Sequence, residues 1–174
     1  FRKNVVQSIL TDNEPEKSEL IIDNLSLLRH LRNIVKDYTD KEIDFADVEE
    51  RINEALQDNK KIYFAEKLNG IPVNFELKLF LLYLVIRYYE GECYNVVMHT
   101  LNDLFWDGRR QFDYVKTLIL RNQTILFERN ILKTTPATWK NDVDIELTME
   151  GTRFLFNEDA YLILIENESN EKKE

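Results

Sequence analysis

The stretch that decides the fold is Asp142-Val143-Asp144-Ile145-Glu146-Leu147-Thr148-Met149-Glu150-Gly151-Thr152-Arg153-Phe154-Leu155. Its first half alternates: Val143, Ile145 and Leu147 fall on one face, Asp144, Glu146 and Thr148 on the other. A period of two is that of a strand, here one with a single wet face. The alternation stops at Thr148, and Met149 to Phe156 reads as a short turn or helix. Upstream, Thr124 to Lys133 is rich in β-formers, and the polar connection Thr134 to Asn141 joins it to the alternating stretch. Two such strands most simply form an antiparallel hairpin.

Toward the N-terminus the grammar is helical. Arg110 to Arg121 buries Phe112, Val115, Leu118 and Ile119, and the Asp107-Gly108 turn separates it from Tyr94 to Phe105, with Val97, Leu101 and Leu104 inward. Phe75 to Tyr89, capped by Asn74 and ended by Gly91, is apolar nearly all round and belongs in the middle of the fold. Asn69-Gly70-Ile71-Pro72 is a turn, and Lys60 to Leu68 reads equally as strand or helix. Phe45 to Asp58 repeats apolar residues at helical spacing behind Asp44, an N-cap with Asp47 three residues on. Lys17 to Tyr38 carries the stripe Ile21, Leu25, Leu28 and Val35, widened by Leu27, Leu31 and Ile34. Residues 1–16 read as an arm, Tyr161 to Ile165 as a last strand and Asn167 to Glu174 as a charged tail.

The expected class is therefore mainly α with a small antiparallel β-hairpin (α+β). Residues 17–68 form an N-terminal helical extension, residues 69–166 the main domain and residues 167–174 a tail or linker. Two helices joined by a short turn, with a hairpin behind them, make a winged helix-turn-helix. The segment Leu147-Thr148-Met149-Glu150-Gly151-Thr152-Arg153-Phe154-Leu155 resembles the L-T-x-x-G-x-x-F-L phrase that closes the wing in many winged-helix domains. There the last wing strand ends at the Thr, which caps a short helix. More broadly, an acidic helical arm, a variant winged helix and a charged exit tail look like the N-terminal region of certain bacterial AAA+ ATPases. That resemblance implies a cytoplasmic domain that recruits a partner, assembles an oligomer or regulates a downstream ATPase module.

The scarce residues narrow the chemistry. The four glycines, Gly70, Gly91, Gly108 and Gly151, are too scattered to build a phosphate-cradling loop. A structural zinc site takes four Cys/His ligands, and the chain has Cys93, His30 and His99. One cysteine forms no internal disulfide, which fits a reducing compartment. The serines sit in contexts unlike a nucleophile elbow, and carboxylate pairs such as Glu49/Glu50 and Glu158/Asp159 read as solvated faces. The longest apolar run, Leu79 to Ile86, is too short for a membrane span. The expectation is no catalytic residue, no metal, no cofactor and no membrane partner.

Charge then locates a surface. The 174 residues carry 23 Lys+Arg against 32 Asp+Glu, a formal charge of -9. Residues 109–140 nevertheless hold seven bases, Arg109, Arg110, Lys116, Arg121, Arg129, Lys133 and Lys140, against Asp113 and Glu128, a net +5 between flanks of -7 each. On the 110–121 helix, Arg110, Asp113, Tyr114, Thr117 and Arg121 share one face opposite the apolar stripe. The expected contact residues are Arg109, Arg110, Tyr114, Thr117, Arg121, Lys133 and Lys140, with Trp139 at the wing tip as an anchor or folded back onto Tyr114. The expected function is a non-catalytic interaction module that binds a protein partner or a downstream ATPase domain. A DNA-binding transcription regulator using the same face is the alternative, and the stripe of the 17–38 helix would serve either a homo-oligomer or packing within the chain.

Overall fold

The computed structural model describes residues 20–136 and 142–157. Along them run α1 (Asn24–Thr39), α2 (Phe45–Asp58), α3 (Tyr63–Gly70), α4 (Phe75–Tyr89), β1 (Asn95–Val96), α5 (Val97–Leu104), α6 (Arg109–Leu120), α7 (Ile125–Glu128), β2 (Leu132–Pro136) and β3 (Val143–Leu147), then a helix over 149–157, here α8. The architecture is mainly helical with one three-stranded antiparallel sheet, an α+β arrangement. The sheet order is β1-β3-β2, so the last strand lies in the middle.

Capping sets most helix starts. Asp44 accepts the Asp47 N–H at 2.9 Å, while the Asp47 carboxylate accepts the Asp44 N–H. Asn74 accepts the Leu77 N–H at 3.2 Å and starts α4 as expected. The first helix begins later than Lys17. Asp23 accepts the Ser26 N–H at 2.9 Å and Ser26 Oγ accepts the Asp23 N–H at 3.1 Å, a reciprocal box that fixes the start at Asn24. Residues 20–22 before it are not helical. The ambiguous 60–68 stretch is helical as α3, and Tyr94 to Val96 precede α5 rather than belonging to it. Asn95 and Val96 are instead paired with Ile145 and Asp144.

The hairpin forms with shifted bounds. The expected strand Thr124 to Lys133 is for the most part not a strand. Thr124 caps the short α7 by accepting the Leu126 N–H at 3.2 Å, and Asn122 and Asn130 take left-handed φ of 52° and 59° on either side. Local side-chain bonding and two Asn turns override the β-propensity of Ile125, Leu126 and Phe127. The strand is Leu132–Pro136, so Thr134, Thr135 and Pro136, read as loop, pair with Ile145, Asp144 and Val143. Pro136 is tolerated because it sits at the end of an edge strand.

One buried apolar cluster runs from Leu27 to Phe156 and draws on both the 17–68 and the 69–166 segments. Helix α4 supplies its middle, with Leu79, Phe80, Leu81, Leu82 and Val85 fully covered. The end of α8 closes the other side. Phe156 stacks on Phe64 of α3, with ring centroids 4.8 Å apart and planes 3° from parallel. Asn24 ties both to α1: its amide donates to the Phe156 carbonyl at 3.3 Å, and its oxygen accepts the Phe64 N–H at 2.9 Å.

The nine-residue phrase at 147–155 has a physical meaning here. β3 ends at Leu147, and Thr148, expected on the wet face, is buried. Its hydroxyl donates to the Asn130 carbonyl and accepts the Gly151 N–H at 2.8 Å, while its own N–H donates to the Ile131 carbonyl at 2.9 Å. Gly151 follows because a Cβ there would stand 2.5 Å from the Ile131 oxygen and 3.0 Å from its Cα. Leu155 and Phe156 are buried behind it.

Candidate interaction surface

α6 owes its placement to its buried stripe, Phe112, Val115 and Ile119, and to the turn that precedes it. That turn is bolted to the α1–α2 corner. The Trp106 indole N–H donates to the Tyr38 carbonyl at 3.1 Å, and the Asp107 carboxylate accepts the Phe45 N–H at 3.0 Å. The Tyr38 hydroxyl donates to the Leu104 carbonyl, and the Tyr38 and Trp106 rings lie 5.3 Å apart. Burial, then the nearby Asp107 and Asp44 carboxylates, holds the Tyr38 hydroxyl well above the usual phenol range, so it remains a donor.

The outward face of α6 carries Arg110, Asp113, Tyr114, Thr117 and Arg121, all exposed. Tyr114 is 44% exposed, and Leu120, on the flank of the same face, 42%. Arg110 and Arg121 stand eleven positions apart, about 16 Å along the axis. Among the described residues no ion pair holds either guanidinium. Arg109 differs: its Nε lies 3.5 Å from Asp113 Oδ1 and its guanidinium lies over the Phe112 ring. The Thr117 hydroxyl is turned back onto the Asp113 carbonyl at 2.9 Å.

Lys133 is not on this face in any simple sense. It sits directly opposite Glu146 in the β2–β3 ladder, with its ammonium 3.0 Å from the carboxylate. That hydrogen bond, with the charge behind it, raises the Lys133 pKa above the usual lysine value. The pair lies over a cavity of about 530 Å³, bounded also by Tyr94, Met149, Asn130 and Glu150, in which the Asn130 amide donates to Glu150 at 2.7 Å. Trp139 and Lys140 lie outside the described residues.

The arrangement thus brings together Arg110, Tyr114, Thr117 and Arg121 on one helix, neutralises Arg109 and Lys133 locally, and adds Leu120, which the sequence reading assigned no role. Its exposure follows from a position well off the 112–115–119 stripe. Among the described residues no group of three or more His, Cys, Asp or Glu side chains is placed to hold a metal ion, and no helix is long and apolar enough to cross a membrane. Comparison with protein-family models, with curated proteins and with solved structures yields no match to this chain.

Proposed function

We propose that residues 75–157 form a winged helix-turn-helix that docks a protein partner through the exposed face of α6. We further propose that this module recruits or assembles components of a larger protein, such as an AAA+ ATPase. The element order supports the winged-helix reading: α4, the short β1, α5, a tight turn, α6, the one-turn α7, then β2 and β3 with β3 in the middle of the sheet. The observation that carries the docking reading is the composition of the α6 face. Tyr114 and Leu120 offer apolar area between Arg110 and Arg121, and tyrosine and arginine are residue types enriched in protein hot spots.

The same face suits a polyanion less well. The Asp113 carboxylate stands in its middle and consumes Arg109, Thr117 is bonded to its own helix, and Lys133 is spent on Glu146. DNA binding through Arg110 and Arg121 is the second reading, favoured by the lack of an ion pair to either guanidinium among the described residues and by the +5 of residues 109–140. Titration with a duplex at several salt concentrations separates the two. A regulator would bind at low salt with a log–log slope of roughly -0.9 per neutralised phosphate, reduced in Arg110→Ala and Arg121→Ala. No duplex binding at low salt, together with capture of a discrete partner that Tyr114→Ala abolishes, is the result expected of a docking module.

A further inference from the structure

The exposed face of α6 has an electrostatic counterpart on α2. Asp47, Glu50, Glu54 and Asp58 fall on one side of that helix at i, i+3, i+7 and i+11, and the last three are exposed. Eleven positions separate Asp47 from Asp58, the same interval as Arg110 to Arg121, about 16 Å on each helix. Among the described residues no ion pair neutralises Glu50, Glu54 or Asp58. Like charges four positions apart repel, so the row Glu50, Glu54, Asp58 opposes the helix that carries it. Beside it runs a groove of about 540 Å³ between α1 and α2, floored by Ile34 and Ala55 and bordered by Asp37, Glu54 and Asp58 against one basic side chain, Arg51.

The helix ends choose an orientation. The last turn of α2 holds Asp58 and no base, where the helix dipole is negative. The first turn of α6 holds Arg109 and Arg110 and no acid, where the dipole is positive. Asp113 compensates Arg109 and leaves Arg110. Each helix thus carries, at one end, charge that its own dipole disfavours, and each supplies what the other lacks. Setting Asp58 beside Arg110 makes the helices antiparallel and brings Arg121 to Asp47 and Tyr114 to Glu54. Arg51 then meets the neutral Thr117 rather than a guanidinium. α2 of the same copy does not reach this place. The Phe45 N–H donates to the Asp107 carboxylate at 3.0 Å, which fixes the start of α2 beside the turn into α6. Asp58 lies thirteen positions on, about 20 Å along the axis.

We propose that the partner of the α6 face is a second copy of this chain, which receives α6 antiparallel to its own α2, over the acidic groove between α1 and α2. The assignment rests on the docking reading of α6 given above and names its partner by charge complementarity. The two surfaces differ, so the contact is head-to-tail and either closes into a ring or extends as a filament. Both surfaces lie within the described residues, whereas the expected arm 1–16, the last strand Tyr161 to Ile165 and the tail Asn167 to Glu174 lie outside them.

Sedimentation velocity of the full chain tests this. The weight-average mass should rise with protein concentration at low salt and return to the monomer value at high salt, because exposed charge pairs are screened. Arg110→Ala/Tyr114→Ala blocks α6 and Glu54→Gln/Asp58→Asn blocks α2; each should stay monomeric with a Tm no lower than the parent's. Mixed in equal amounts, the two should form a dimer and nothing larger, since each contributes one intact surface. Charge exchange reads the orientation: Asp58→Lys should lose self-association, and Asp58→Lys/Arg110→Glu should regain it. A parent that stays monomeric at every concentration in low salt overturns the proposal. So does self-association that survives either blocked variant, a mixture that stays monomeric or grows beyond a dimer, or a charge-exchange variant that regains nothing. The docking reading of α6 fails or stands separately, on binding of a different protein that Tyr114→Ala abolishes.

Discussion

Replacing Gly151 by alanine isolates the close approach that holds α8 against the hairpin. A methyl at this position would meet the Ile131 oxygen at 2.5 Å, its Cα at 3.0 Å and its carbonyl carbon at 3.1 Å. These are backbone atoms, so no side-chain rotation relieves the overlap. Either α8 or the strand entry moves by several tenths of an ångström, and the Thr148 N–H to Ile131 carbonyl bond at 2.9 Å lies in the path. Overpacking of this kind costs roughly 1–3 kcal/mol, and a weakened buried hydrogen bond adds about 1 kcal/mol. Against this, a Gly→Ala change within a helix gains up to about 1 kcal/mol in propensity. The balance is a loss of about 2 kcal/mol, or about 4–8 °C in Tm for a chain of this size. Gly70 provides the control, because a Cβ there meets nothing within 4 Å and no left-handed backbone is required. Gly70→Ala should be neutral or stabilising by up to about 1 kcal/mol. Thermal melts of both variants beside the parent decide the matter. A Gly151→Ala Tm equal to or above the parent's would refute the claim that space, rather than helix chemistry, selects glycine here.

Three further outcomes are expected. Tyr114→Ala should weaken partner binding by about 30-fold, the effect of losing a hot spot worth about 2 kcal/mol, while leaving the Tm unchanged because the ring is exposed; equilibrium binding and a melt check both. The backbone N–H and hydroxyl of Ser26 hold the Asp23 carboxyl below the usual carboxylate range, so its capping stabilisation is present above about pH 4 and is lost as pH falls through the lowered folded value; Asp23→Asn should flatten that part of a stability-against-pH profile. Asp107→Ala removes the carboxylate that accepts the Phe45 N–H at the start of α2 and should cost about 1 kcal/mol in urea unfolding without altering the helix content of the native state.

Sequence reading succeeded where local chemistry is sufficient. Asp44 with Asp47, and Asn74 ahead of Phe75, mark helix starts that need no tertiary partner, and α2 and α4 have the bounds those residues imply. The same signal was present at Asp23 and Ser26, but the apolar stripe continued through Ile21 and masked it. Propensity misled at Ile125–Phe127, where the Thr124 cap and the left-handed Asn122 and Asn130 decide the backbone. β1 is two residues long, below what any periodicity can register. On the candidate face, the helical spacing of Arg110, Tyr114, Thr117 and Arg121 was legible, and so in principle was the Arg109–Asp113 pair at i, i+4. The Lys133–Glu146 pair was not, because it depends on a strand register that the misplaced hairpin bounds concealed.

The helical extension bears on the face from behind. α6 is carried by a turn whose residues Leu104, Trp106 and Asp107 are all bonded to Tyr38 or Phe45, across 62 to 68 positions of sequence. Tyr38 is fully buried and the Phe45 ring packs edge-on to it at 6.1 Å, so this joint is both apolar and hydrogen-bonded. Under the proposed docking, a partner pressing on Tyr114 and Leu120 would meet a helix whose leading turn is fixed to α1 and α2. This arrangement favours binding with little reordering, since the platform does not have to be immobilised at the moment of contact. It also separates the charges by function. The paired Asp113 and Glu146 trim the basic tract locally, and Arg110 and Arg121 remain at the two ends of the exposed face. The net -9 of the chain is thus a poor guide to what the α6 face attracts. The guide is two guanidinium groups about 16 Å apart with an aromatic ring between them.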